Sequence, residues 1–378
     1  MNTLSATFHL THHCNLRCTY CYTGDKLPIA MSQSTIDESM AFLRKEINTS
    51  QANQLTITFF GGEPLIEKDK IFYIIKKMNL WSDISISYRM STNGTLLTEA
   101  LMKKLYDHQV FVSLSSDGCP EVHDKHRLNA AGQPTSHKVA QAAKMMLRHN
   151  PATNVTCVIS PDTATHLCES VDYLFRLGFR YITTTLDYSA DWGLEHFNLL
   201  KKSYQKLSKW YIQKIEDNER FYLSFFDERI RSRTYKPIEA QERCLLGTKQ
   251  FSIAPNGELY PCIQFVKTDS LPEFMIGHVQ EGFDKTCQSH IHAKSEKEKV
   301  ECRGCKLESR CSKWCSCINF MSTGNIEKAS PIVCYNEKIL IEIVDKTADK
   351  LWKKRNNHFV HKHYNEDYPI ISHFEITL

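Results

Sequence analysis

The chain has 378 residues, 42% of them hydrophobic, 15 cysteines, and 47 basic against 43 acidic residues. That length suits one large and one smaller domain that fold without crosslinks, and the near-balanced charge excludes a strongly basic nucleic-acid binder. The start MNTLSATFHLTHHC has no secretory pattern and no apolar run reaches the roughly 18 residues of a membrane helix, so the chain is read as cytoplasmic, where an odd cysteine count points to metal or catalysis rather than disulfides.

Residues 7–11 are predicted to form the first strand. Residues 34–47 follow as a helix, with Ser34 as N-cap and Ile36, Met40, Leu43 and Ile47 on one face. Apolar alternation predicts further strands over 55–60, 84–90, 110–115, 153–159 and 181–186. Helices are predicted over 68–78, 98–108, 136–148, 164–177 and 196–218. Six strand–helix units imply parallel pairing and right-handed crossovers. The expected class is α/β, a partial (β/α)6 barrel of the TIM type over residues 1–225, with its site at the strand C-terminal ends. After residue 227 the pattern breaks, helices become scarce, and nine cysteines fall between Cys244 and Cys334. Residues 226–335 are read as a small cysteine-built domain. Residues 336–378 are read as a C-terminal helix and tail, the helical pattern starting at 331 and a short strand falling at 370–374.

Cys14, Cys18 and Cys21 share one stretch, HHCNLRCTYCY, just after the first strand. Three thiolates so close can hold three corners of an iron–sulfur cube, because soft sulfur ligands select iron–sulfur or zinc. The fourth iron is then open to a small molecule. A zinc knuckle is the alternative, with His12 or His13 completing a tetrahedron.

The next strands end in motifs of their own. Gly61-Gly62-Glu63-Pro64 follows the second, Ser91-Thr92-Asn93-Gly94 ends the third, and Ser113-Leu114-Ser115-Ser116-Asp117-Gly118 ends the fourth. Val122-His123-Asp124-Lys125-His126-Arg127 lies beyond. Glycines permit close backbone approach, a carboxylate suits an ammonium, and a forked guanidinium suits a carboxylate. Together with CNLRCTYCY, this series resembles the radical S-adenosylmethionine (SAM) superfamily. The resemblance implies that Cys14, Cys18 and Cys21 hold a 4Fe–4S cluster whose open iron binds SAM. Reductive cleavage would then give a 5′-deoxyadenosyl radical that abstracts a substrate hydrogen. By the same resemblance Gly61, Gly62, Glu63 and Pro64 receive the SAM ammonium, and Tyr20 and Tyr22 flank the cluster, Tyr22 near adenine. Ser91 and Asn93 belong to the third-strand motif, Ser115 contacts ribose or carboxylate, and Arg127 pairs with the SAM carboxylate.

The later cysteines run Cys244-x12-Gly257-x4-Cys262, then Cys302-x2-Cys305-x5-Cys311-x3-Cys315, then Cys334. Residues 251–261 between them read as a hairpin turning at Asn256-Gly257. The pattern resembles the SPASM extension of radical SAM peptide and protein maturases. That implies two auxiliary 4Fe–4S clusters, three clusters in all. The outer one would use Cys302, Cys305, Cys311 and Cys334, the inner one Cys244, Cys262 and Cys315. Ile238 stands where some relatives carry a fourth inner cysteine, so that iron is open or takes Cys317 or Cys287. Cys119, Cys157 and Cys168 are read as core or loop residues.

The implied reaction is radical abstraction of a side-chain hydrogen from a ribosomally made precursor peptide, closing a cyclophane or thioether crosslink. Sulfatase maturases, which make formylglycine, carry an aspartate base right after the second SPASM cysteine. Here that residue is Ile263, which takes no proton. Asp187, at the sixth strand end, is the candidate substitute base, with a capping role as the alternative. Expected partners are the precursor peptide and an electron donor such as flavodoxin or ferredoxin. Cys14 stands near the start and 44 residues follow Cys334, so no winged-helix leader-binding module is expected. The leader would be held by the groove of barrel and SPASM domain, by the tail, or by a separate leader-binding protein. Formylglycine formation and a non-catalytic zinc module are the competing readings.

Overall fold

A computed structural model describes residues 3–234, 244, 246–269 and 271–364. In chain order its strands are β1 Thr3–His9, β2 Gln54–Phe60, β3 Ser85–Thr92, β4 Val110–Ser115, β5 Asn154–Ile159, β6 Tyr181–Leu186, β7 Tyr222–Leu223, β8 Gln250–Ile253, β9 Glu258–Tyr260, β10 Gly277–His278 and β11 Gly282–Phe283. The α-helices are α1 Gln33–Ser50, α2 Lys68–Met78, α3 Glu99–Asp107, α4 Pro120–His126, α5 Ser136–His149, α6 Leu167–Leu177, α7 Leu194–Glu216, α8 Ser224–Thr234, α9 Lys285–Glu296, α10 Ser316–Thr323, α11 Pro331–Lys353 and α12 Asn357–Tyr364. By compactness the chain forms two units. One comprises residues 1–115, 124–149 and 244–298, the other 116–123, 150–243 and 299–378.

In the first unit the strands run in the order β11-β10-β9-β8-β1-β2-β3-β4. β8, β1, β2, β3 and β4 are parallel, whereas β9, β10 and β11 add on antiparallel. Side-chain alternation shows why the sheet has one packed face. Leu55, Ile57 and Phe59 of β2 are buried, while Thr56, Thr58 and Phe60 between them point to the other face. β1 repeats this with Leu4, Ala6 and Phe8 against Ser5 and Thr7. The second face is rich in hydroxyls, and β3 and β4 add Ser91, Ser113 and Ser115 to it. Strand–helix alternation with parallel pairing is the α/β arrangement that the sequence predicts.

Three details of the elements named so far depart from the sequence reading. β1 begins at Thr3 rather than residue 7, because Thr3–Phe8 alternates with hydroxyl residues where no apolar run is visible. α1 is capped by Ser32, whose side chain accepts the Thr35 N–H; Ser34 lies inside the helix and donates to Glu38 Oε1 at 3.1 Å. The hairpin of residues 251–261 forms as β8 and β9, with Gly257 at φ +93° in the turn, but β8 also lies parallel to β1 and widens the sheet.

The second unit holds parallel β5-β6-β7 and packs α7 on α11. Much of its interior is polar. Tyr204 donates to Asn336 Oδ1 at 2.6 Å, and Arg229 grips Glu337 with Nε–Oε2 at 3.2 Å and Nη2–Oε1 at 2.5 Å. Asp227 accepts from Tyr211 Oη and the Leu223 N–H, both at 2.6 Å, and pairs with Lys362 at 2.8 Å and His363 at 3.2 Å, all buried. The expectation of few helices after residue 227 is corrected by α9, α10 and α12. α9 (KTCQSHIHAKSE) and α12 (NHFVHKHY) carry too few periodic apolar residues to be seen in the sequence. The predicted strand at 370–374 lies outside the described residues. Among the described residues no helix is long and apolar enough to cross a membrane.

Candidate functional site

The loop after β1 is pinned by backbone on two sides. Gly62 N–H donates to Thr11 O at 2.7 Å and Glu63 N–H to His13 O at 3.0 Å; on the other flank Arg17 N–H reaches Leu128 O at 2.8 Å and Thr19 N–H reaches His126 O at 3.1 Å. Gly61 and Gly62 are required by this close approach. A Cβ on Gly61, at φ +151°, would stand 2.5 Å from Thr11 O, and one on Gly62 would stand 2.3 Å from His13 O. The motif ending at Arg127 thus lies directly against the thiol loop.

Within that loop the sulfurs are met by donors. Leu16 N–H donates to Cys14 Sγ at 3.4 Å, and Asn93 Nδ2 lies 4.0 Å from the same sulfur. Lys26 Nζ donates to Cys21 Sγ at 2.9 Å. Burial pushes the Cys14 thiol up to about 12. Burial also opposes ionisation of Cys21, but the Lys26 ammonium outweighs it and holds that thiol below its ordinary value. Cys18 accepts the Cys21 N–H with its carbonyl at 3.2 Å, closing the loop into a turn. Donors aimed at thiolate sulfur are the second-sphere chemistry of an iron–sulfur site, so these residues fit a cluster.

Glu63 is buried at 1% exposure, and burial raises its carboxyl to about 7. Its oxygens accept from Leu65 N–H at 3.1 Å, Thr92 Oγ1 at 2.7 Å and Asn93 N–H at 2.8 Å, which ties the ends of β2 and β3 together. A carboxylate has about four acceptor directions, so one remains. Asn93 continues the network to Asn15 Oδ1 at 2.9 Å. Pro64 begins a short turn, Pro64–Glu67. Arg127 is buried and lies 5.3 Å over the Tyr20 ring, and Tyr22 stacks on Phe60 with centroids 6.5 Å apart. Ser91 and Ser115 sit near the C-terminal ends of β3 and β4, half-buried on the hydroxyl face. Spacing gave no signal for Lys26, and although Asn15 and Thr92 lie within the motifs read from the sequence, their contacts arise only in the fold.

In the second unit Cys302, Cys305, Cys311 and Cys334 line one cavity of about 60 Å³. Cys302 ends the turn Val300–Cys302, and Cys305 N–H closes on Cys302 O at 3.0 Å. Cys311 follows the turn Glu308–Arg310, and Cys334 lies in the first turn of α11, which Ser330 caps. Burial pushes the Cys311 thiol up to about 12. Among the described residues no three His, Cys, Asp or Glu side chains close on a single-ion position; the four thiols line one cavity, and soft sulfur ligands of this kind fit an iron–sulfur cluster. Cys315 precedes α10. The Cys317 side chain and the N–H groups of Cys317 and Ile318 lower its thiol to about 7 against the effect of burial. Cys317 is itself buried.

Cys244 and Cys262 belong to the first unit. Cys244 is exposed and accepts from Gln250 Nε2 at 2.6 Å, and Cys262 precedes the turn Ile263–Phe265. Ile238 lies outside the described residues. Asp187, just past β6, accepts from Ser189 N–H at 3.0 Å and Ser189 Oγ at 2.6 Å, an Asx turn.

This arrangement, a parallel α/β sheet with a thiol loop at the C-terminal end of its first strand, defines an enzyme class that the family comparison names. Residues 8–191 match the Radical SAM superfamily: the chain carries a radical SAM domain and is a radical SAM enzyme. Over 335 residues it is 27% identical to the cysteine-type anaerobic sulfatase-maturating enzyme of Clostridium perfringens (strain 13 / Type A), covering 80% of this chain and 85% of that one. It is 25% identical over 283 residues to the antilisterial bacteriocin subtilosin biosynthesis protein AlbA of Bacillus subtilis, covering 73% of this chain and 57% of that one. The fold is that of native anSMEcpe with bound AdoMet and Cp18Cys peptide, with a TM-score of 0.73 at 22% identity over 92% of this chain and 99% of that one.

Proposed function

We propose that the protein is a radical SAM maturase that takes a hydrogen atom from a side chain of a ribosomally made precursor peptide and closes a crosslink of the cyclophane or thioether type. SAM on a reduced 4Fe–4S cluster held by Cys14, Cys18 and Cys21 would supply the hydrogen-abstracting radical, with flavodoxin or ferredoxin as electron donor. Leu16 N–H and Lys26 then hold sulfur charge, the remaining acceptor direction of Glu63 takes an ammonium, and Arg127 takes a carboxylate. Tyr22 and Phe60 offer a flat apolar wall to adenine. An outer auxiliary cluster is assigned to Cys302, Cys305, Cys311 and Cys334, and an inner one to Cys244, Cys262 and Cys315 with Cys317 as candidate fourth ligand. The SAM-binding part is placed in residues 1–225 and the auxiliary part in 226–335. A separate protein or the tail would hold a peptide leader.

The observation that carries the crosslinking reading is Ile263, which opens the turn after Cys262 where formylglycine chemistry needs a proton acceptor. The 27% identity to a sulfatase-maturating enzyme over 335 residues favours formylglycine formation as the second reading. Anaerobic reconstitution with iron and sulfide, then incubation with SAM, dithionite and either a short peptide encoded beside this gene or a sulfatase-derived peptide, separates them by mass spectrometry. Loss of two hydrogens per bond with sulfur retained and no aldehyde-reactive group supports the crosslink, because oxidation of Ser to an aldehyde also removes two hydrogens. An aldehyde replacing the Cys or Ser side chain overturns it, and bound zinc without SAM cleavage overturns both.

A further inference from the structure

The cavity lined by the four thiols of the second unit also holds a lysine. Lys313 is 2% exposed, its ammonium set on the Glu308 carboxylate and 4.3 Å from the Trp314 ring centre. A buried ammonium needs close anionic partners. Glu308 is 41% exposed and shares its charge with water. Glu337 on the same wall is matched by Arg229 and accepts from Ser312 Oγ at 2.8 Å. Glu301 and Lys338 complete the charged wall, and both are exposed. Among the described wall residues Lys313 is therefore the buried cation, and it lines the same cavity as the four thiols.

We propose that Lys313 sets the reduction potential of the cluster held by Cys302, Cys305, Cys311 and Cys334. The inference rests on that ligand assignment. A 4Fe–4S cluster on four thiolates is negatively charged, and one electron from an external one-electron reductant adds one further negative charge. No bond forms or breaks and no proton moves. A fixed ammonium in a water-poor cavity stabilises the more negative form, so it raises the potential, while the Glu308 carboxylate works against it.

The test is an EPR-monitored potentiometric titration of the full-length protein, reconstituted with iron and sulfide and titrated with dithionite. The signal missing from a Cys302→Ala/Cys305→Ala variant identifies the outer cluster. Lys313→Met is expected to shift that cluster's reduced-to-oxidised ratio at fixed potential at least tenfold toward oxidised, about 59 mV for a one-electron couple. Lys313→Arg should recover most of the shift, and Glu308→Gln should move it the opposite way. An unmoved potential in Lys313→Met at full iron content overturns the proposal, as does a Glu308→Gln shift of the same sign. If Lys313→Met holds no cluster, the sign of the Glu308→Gln shift decides. Unchanged iron content and spectrum in Cys302→Ala/Cys305→Ala would instead refute the ligand assignment.

Discussion

The two thiol groups are gathered in different ways. Cys14, Cys18 and Cys21 come from a single loop, and backbone hydrogen bonds from Gly62, Glu63, Arg17 and Thr19 set its course. Cys302, Cys305, Cys311 and Cys334 come from two turns and the start of α11. Their spacing depends on where α11 stands, and α11 is tied by Arg229 to Glu337 and by Tyr204 to Asn336. The course of the first loop is set by backbone bonds that do not involve its sulfurs. In the second, ligand geometry and folding are one problem.

The sharpest way to break this contrast is to remove sulfur from each side. Changing Cys14, Cys18 and Cys21 to Ala should abolish 5′-deoxyadenosine release from SAM while leaving the thermal midpoint nearly unmoved. Changing Cys302 and Cys305 to Ala should lower stability and product formation together. SAM cleavage that survives the first variant would refute the site.

Next in size is Glu337→Gln, which removes the buried carboxylate on Arg229 Nε and Nη2 and leaves that guanidinium only the half-exposed Glu228, 2.8 Å from Nη1. Loss of one partner of a buried ion pair costs about 3–5 kcal/mol. Denaturant unfolding should show that loss, and iron content of the reconstituted variant should fall with it. Unchanged stability would mean that α11 is positioned by packing alone.

A smaller effect is expected from Gly62→Ala. The added carbon has no room, with His13 O at 2.3 Å and His12 O at 2.7 Å. Overpacking costs about 1–3 kcal/mol, and here it displaces the thiol loop. Iron bound at the Cys14, Cys18, Cys21 site should drop, whereas the outer cluster, counted separately by EPR, should stay full. Equal loss at both would show that the two groups are not independent.

The same contrast explains what the sequence disclosed. C-x3-C-x2-C is legible because its ligands are neighbours, and Gly61-Gly62-Glu63 is legible because strand ends are marked by hydrophobic alternation. Arg127 was found by its motif, but its place over Tyr20 depends on residues 126–129 running beside the thiol loop. Lys26 and Lys313 have no such signature. A lysine in a charged sequence reads as solvent-facing, and only folding shows that Lys313 lines the cavity of four thiols or that Lys362 is buried on Asp227. α12 was missed for the same reason: its buried face includes Lys362 and His363 rather than an apolar stripe. The joining of β8 to β1 brings together residues more than two hundred positions apart, a contact that no local spacing encodes.

The mildest test uses protons, because each unit buries a carboxyl and the two are perturbed in opposite directions. Burial pushes the Asp227 carboxyl up, but Lys362 and His363 outweigh it and hold the group well below the ordinary carboxylate range. Acidification therefore protonates the unfolded chain first. The stabilisation from Asp227 is complete above about pH 4 and is lost progressively below it, as the pH falls toward the lower folded-state value. Glu63 is raised to about 7 by burial, against the pull of its three donors. Its protonated form is the one the ligand-free fold prefers, so stability declines as the pH rises from about 4.5 to about 7, by about 3 kcal/mol at most. A bound ammonium reverses that preference, so SAM affinity of the reconstituted enzyme should rise with pH through about 7. Calorimetric SAM titrations at pH 6 and 8, beside unfolding curves of the ligand-free protein, check both signs. SAM affinity that is flat over this range would remove Glu63 from ammonium binding and leave it the tie between β2 and β3.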